Sequence, residues 1–174
     1  MALIKASYTV HRSKAYAGMH ADTSAYNIDG TCCAGVDKLP VGVFVALDPA
    51  GGVVDGHKVV TNVIDTAASN PNLVGATLMS HAYSPEGVYD EGSAVNVMTA
   101  GRIWVLCAKS LSDAAKAFNV QVNINAKGEV VNPGSGAIGT VYTTTGEWLK
   151  TDDPNYDLIK VQLTQAQFQL PAGA

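Results

Sequence analysis

Residues 93–107 read SAVNVMTAGRIWVLC. Val95 and Val97 share one face, with Asn96 and Met98 on the other, which is the two-residue period of a β-strand. Ala100-Gly101 marks a bend, so the stretch is expected to form two strands. Beyond Gly101, Ile103, Val105 and Cys107 alternate with Trp104 and Leu106, and both sets are apolar. A strand apolar on both faces must be covered on both faces. The domain's own core supplies one cover. A second sheet, an arm of the chain or another subunit supplies the other.

Working outward, residues 41–47 (VGVFVAL), 57–63 (HKVVTNV) and 74–80 (VGATLMS) are further strand candidates, punctuated by Asp48-Pro49 and Gly51-Gly52. Residues 81–92, with Pro85, Gly87 and Gly92, are expected to form a loop crossing the surface. On the other side, residues 112–117 allow one short helical turn with Ser112 as N-cap. Phe118, Val120, Val122 and Ile124 then alternate with Asn119, Gln121, Asn123 and Asn125, the cleanest half-buried strand in the chain. Residues 129–131, 138–144 and 158–163 complete about eight or nine strands, at roughly ten-residue spacing and without a long helix. That pattern predicts an all-β fold, a compact antiparallel β-barrel or jelly-roll-like sandwich.

Residues 1–30 have no clean period, yet carry Tyr8, Tyr16, Met19 and Tyr26. Such a segment builds no core of its own; it is a soluble tail or an arm that lies on something. Its large apolar side chains favour an extended N-terminal arm over residues 1–30, ahead of a β domain over 31–174. Charged residues make up only 15% of the 174 residues, against roughly 25% in ordinary globular chains, so much of the surface is neutral or covered. The net charge of −4 argues against a nucleic-acid partner. No apolar run approaches the ~18 residues of a membrane span, and MALIKASYTVHR is short for a signal peptide. A chain made and kept in the cytosol, or in an assembly built there, is expected.

Chemistry is sparse. His11, His20, His57 and His81 show no ligand spacing, and Cys32-Cys33 and Cys107 read as small buried or half-buried thiols. Ser80-His81 lies in no nucleophile elbow, Asp152, Asp153 and Asp157 lack a calcium-loop spacing, and no glycine cluster forms a phosphate cradle. Neither a catalytic site nor a cofactor or metal site is expected. Arg102 and Trp104 lie two residues apart on one strand face, as a core tryptophan beside a solvated arginine, a cation stacked on a ring, or an interface anchor.

Residues 16–22, Tyr16-Ala17-Gly18-Met19-His20-Ala21-Asp22, resemble the GYAGM-x-AD segment of the structural cement, or capsid decoration, proteins of tailed bacteriophages. Residues 89–105, YDEGSAVNVMTAGRIWV, resemble that family's second hallmark, a G-x-x-V-x-V strand running into R-G-R-[IV]-W-V. Residues 75–80 and 158–163 are similar to its G-I-A-V and LA-x-V-x-L strands. The chain departs at Ala15, where the first motif opens with glycine, and at Ala100, where arginine is common. Residues 111–118 hold the acid of a V-x-x-G-D-x-V-Y turn without its glycine.

The resemblance implies a non-enzymatic protein on the outer surface of the phage head, made in the host bacterial cytoplasm. It would stabilise contacts between major capsid protein subunits, and associate with itself as a dimer or trimer. Tyr8, Tyr16, Met19, Arg102 and Trp104 are the interface candidates. A carbohydrate-binding β module of a virion fibre or tail is the alternative, with Tyr83, Tyr89 and Trp148 as its exposed aromatics.

Overall fold

The computed structural model describes residues 15–67, 71–80 and 86–164. The strands are β1 (Asn27–Ala34), β2 (Leu39–Pro40), β3 (Phe44–Leu47), β4 (Val53–Val54), β5 (His57–Thr61), β6 (Leu73–Thr77), β7 (Val88–Tyr89) and β8 (Ala94–Ala108). After helix α1 (Asp113–Lys116) come β9 (Phe118–Ile124), β10 (Val130–Val131), β11 (Ile138–Leu149) and β12 (Tyr156–Leu163). The helix begins where the sequence places it: the Ser112 hydroxyl accepts from the Ala115 amide at 3.3 Å. The strands absent from the sequence reading are the two-residue β2, β4 and β7, and β1, whose small polar residues carry no period.

One correction concerns the decisive stretch. Residues 94–108 form a single fifteen-residue strand rather than two. Gly101 takes φ 106° without ending β8. What changes there is the neighbours. Before Gly101, β8 pairs with β1 and β6. From Gly101 onward it pairs with β12 in unbroken register, Gly101↔Leu163 through Ala108↔Tyr156. A Cβ on Gly101 would lie 2.6 Å from Tyr26 Cβ, so the glycine lets the chain leading into β1 cross at the switch.

Pairings carry β1 to β5, β3, β6 and β8, and β8 back to β1, closing a five-stranded ring. A second ring runs from β8 through β12, β11, β9 and β10, and returns to β8 through the pair Val130↔Cys107. The fold is thus all-β, a closed barrel with additional strands, and β8 is common to both circuits. Pairings within the rings are antiparallel except β1–β5 and β8–β10.

The core follows the strand period. Val43 and Val45 pack with Cys32, Val60, Val95 and Val97 on one face of the first ring. On the opposite face Phe44, Ala46, Ala76 and Met98 pack with Ile103, Val105, Ile124, Tyr142 and Ile159 of the second. Phe44 stacks on Tyr142 with ring centroids 5.4 Å apart. Both faces of β3 are buried, so residues 43–46 are continuously apolar.

The expected surface loop over 81–92 is also corrected in part. Val88 and Tyr89 pair with β2, and Tyr89 is fully buried with its hydroxyl donating to the Leu78 carbonyl at 2.6 Å. Residue 30, the expected boundary between arm and β domain, lies inside β1.

Candidate binding surface

Residues 15–22 form a strap along the edge of β8 opposite β12. The Gly18 amide donates to the Trp104 carbonyl at 2.8 Å, the Trp104 amide to the Met19 carbonyl at 3.0 Å, and the Ala21 amide to the Arg102 carbonyl at 2.9 Å. The Met79 amide donates to the Gly18 carbonyl at 2.9 Å. Gly18 has φ 72°, and a Cβ there would lie 2.7 Å from the Met79 nitrogen. This close backbone approach is the physical content of the glycine in the first motif.

The strap supplies the second cover that a doubly apolar β8 needs. Trp104 is 8% exposed and packs with Ala15 and Leu158, with Ala17, Met19, Ala21, Leu106 and Leu149 around them. Small residues suit the strap because the backbone itself lies close against β8.

An ionic cluster closes its end. The Asp22 carboxylate meets Arg102 Nη1 at 3.2 Å and Lys160 Nζ at 3.4 Å, and Lys160 also meets Glu147 at 2.6 Å. Arg102 Nε donates to Gln162 at 2.9 Å. β12 places Lys160 opposite Trp104 and Gln162 opposite Arg102, so all four share one face. The Ser24 amide, which donates to Asp22 Oδ1 at 3.0 Å, together with Arg102 and Lys160 holds the Asp22 carboxyl well below the usual carboxylate range, against the opposing effect of its partial burial. The two hallmark motifs, remote in sequence, are therefore one contact surface in space.

Of the five interface candidates, Tyr8 lies outside the described residues. The structure brings the other four together: Met19 is half-buried on Trp104, Arg102 is half-buried at the ionic cluster, and Tyr16 is 48% exposed on the strap. Arg102 faces Asp22 and Gln162, and among the described residues it is Lys116 that stands over a ring, that of Trp148, 4.2 Å from the centroid. Asp22 and Lys160 were not singled out from sequence; their only signal was membership of the motif and a lone lysine in an apolar strand.

Beside the strap lies a cleft of about 440 Å³ lined by Ala21, Trp104, Gly146, Glu147, Trp148, Leu149 and Lys160. It opens where β11 is irregular opposite Lys160, between Thr144 and Trp148, and Gly146 takes φ 77°. Trp148 is 44% exposed, and Phe118, next to Gly146, is 78% exposed. Phe118 also escaped the sequence reading, which assigned it to the buried side of β9. Of the aromatics proposed for a glycan site, Tyr89 is buried in the core, Tyr83 lies outside the described residues, and Trp148 carries Lys116 on its ring.

No group of three or more His, Cys, Asp or Glu side chains that could hold a metal ion occurs among the described residues. No helix there is long and apolar enough to cross a membrane. His20 lies against Tyr26 with the rings tilted by 60° and their centroids 4.3 Å apart, His57 is exposed, and His11 and His81 lie outside the described residues. Burial pushes the Cys107 thiol up to about 12 and the Cys32 thiol to about 11, the reverse of an activated nucleophile.

Among solved structures, the chain resembles one from "The capsid of Myoviridae Phage XM1", with a TM-score of 0.59 and 18% identity over 91% of this chain and 96% of that one. That likeness is one of fold. No curated protein matches the chain. The family described as structural cement protein (E217 gp24/Pam3 gp6) matches residues 4–164, which takes in the strap, β8 and both rings. The chain belongs to this bacteriophage structural cement protein family.

Proposed function

We propose that the protein binds the outer surface of a phage head and stabilises contacts between neighbouring major capsid protein subunits, as a dimer or trimer made in the host bacterial cytoplasm. In this reading it acts through surface contact and carries out no catalytic step. The observation that carries the proposal is the family match over residues 4–164, which spans the N-terminal region as well as the barrel. In this proposal the chain's N-terminal arm, with Tyr8 as an anchor, reaches the shell; what supports it is that residues 15–22 are held along β8 by main-chain bonds. Cementing needs area rather than a reactive group. A contact of about 1,600 Å² supports specific binding, and repetition over a symmetric shell multiplies it.

Cryo-microscopy of heads assembled with and without the chain tests this. The expected result is added density on the outer face, bridging capsid protein subunits, in the first sample only. Identical maps, with the chain left in the supernatant, would overturn the proposal. Full-length Tyr8→Asp is expected to lower co-sedimentation with heads while leaving the melting temperature unchanged.

A further inference from the structure

The dipeptide Asp-Gly occurs twice in the chain, at Asp29-Gly30 and at Asp55-Gly56. It is a reactive pair. With no side chain on the glycine to obstruct it, the glycine nitrogen can approach the aspartate carboxyl carbon and close a five-membered ring. The fold treats the two sites in opposite ways.

Asp29 is locked. Its Oδ1 accepts from the Thr31 amide at 2.9 Å and from the Thr31 hydroxyl at 2.6 Å, and its Oδ2 pairs with Lys58. Gly30 lies inside β1, between the pairs Asp29↔Val97 and Cys32↔Val95. Ring closure there would break the ion pair and both Thr31 bonds. It also needs a protonated carboxyl, whose hydroxyl leaves as water. Holding Asp29 down from 3.8 to about 2 lowers its protonated share at neutral pH by more than about tenfold.

Asp55-Gly56 is the two-residue turn between β4 and β5, framed by the pair Val54↔His57, with φ 50° and 82°. Residues 53–57 are all exposed, and a Cβ on Gly56 would meet nothing within 4 Å. Among the described residues, no hydrogen bond or ion pair fixes the Asp55 carboxylate, and β4 pairs with β5 alone. The tip is free to move into the geometry that closure requires.

We propose that Asp55 is a site of spontaneous backbone modification, where the β4–β5 turn converts to isoaspartate while Asp29 stays intact. The Gly56 nitrogen bonds to Asp55 Cγ, and the carboxyl hydroxyl leaves with the amide hydrogen as water. Solvent water then adds to the Asp55 main-chain carbonyl carbon and breaks its bond to the Gly56 nitrogen. The chain now runs through Cβ and Cγ, one methylene longer, and the former main-chain carbonyl is a free carboxylate. Water adding at Cγ instead restores aspartate. The lengthened turn no longer matches the pairs Val53↔Lys58 and Val54↔His57, so β4 detaches from β5 in the modified chain. The modification is independent of head binding.

Prolonged incubation of the full-length chain at neutral pH tests this, natively and in urea. Isoaspartate is located by electron-transfer fragmentation of its peptides, and counted by methyl transfer from S-adenosylmethionine with an isoaspartyl methyltransferase. The native chain is expected to hold at least about tenfold more isoaspartate at residue 55 than at residue 29, following the difference in protonated carboxyl. In urea the two sites should approach equality. Lys58→Ala, which releases Asp29, should raise the native yield at residue 29. Equal native yields at the two sites, or a native residue 55 that stays intact while the unfolded chain isomerises, would overturn the proposal.

Discussion

Gly42 and Gly18 meet backbone to backbone: a Cβ on Gly42 would stand 2.7 Å from the Gly18 nitrogen. Both residues have φ 72°. Gly42 in turn donates to Thr77 at 2.9 Å and accepts from Leu106 at 2.8 Å. The strap, the entry to β3 and the second half of β8 thus converge where no side chain fits. Gly18→Ala is expected to cost at least about 2 kcal/mol, from left-handed strain plus collision with backbone. Gly52, at φ 58° with open space around it, supplies the control. Gly52→Ala should cost only about 1 kcal/mol in urea titration, and equal midpoints for the two variants would refute the steric account.

Trp104→Ala removes the side chain that the strap covers. At 8% exposure the expected loss is about 3–5 kcal/mol. Trp104→Phe should recover most of it. An unchanged denaturation midpoint for the alanine variant would show that the strap, not the tryptophan, organises this face.

The Asp29–Lys58 pair makes stability depend on acid. Burial raises the Asp29 carboxyl, but hydrogen bonds from Lys58 and from the Thr31 hydroxyl and amide outweigh it, bringing the value down from 3.8 to about 2. A carboxyl lowered on folding stabilises fully above its unfolded value. Its share, about 2 kcal/mol, is therefore present above roughly pH 4 and lost as pH falls towards about 2. Asp29→Asn should lower stability at pH 6 and flatten the melting temperature between pH 4 and pH 2. A parallel pH curve for the variant would contradict this.

The thiols predict a labelling pattern. Cys32 and Cys107 are buried, while Cys33 is half-buried. A maleimide at pH 8 is expected to modify at most one thiol, Cys33, in the native chain, and three after denaturation. Rapid labelling of Cys107 under native conditions would show that β8 opens at its junction with β10.

Much of the barrel was legible because its strands keep a strict period. Phe118–Ile124 alternates and is a strand; Ser112 caps and a helix turn follows. The same period misplaced Phe118, because β9 meets the irregular part of β11 at Thr145 and the side chain turns out to solvent. Ala100-Gly101 looked like a bend because glycine ordinarily ends a strand; here it lets β8 exchange neighbours while continuing. The contact of Asp22 with Arg102, eighty positions apart, has no local signal. Only the shared motif pattern hinted that these residues belong together. Tyr89 looked like a loop aromatic because its burial is set by β2, itself too short to read.

The strand common to both circuits gives the molecule a mechanical backbone. A pull applied to one half travels into the other along the covalent chain of β8, with no flexible linker between them to stretch first. Tension directed along β8 therefore loads many ladder bonds together in shear instead of peeling them singly.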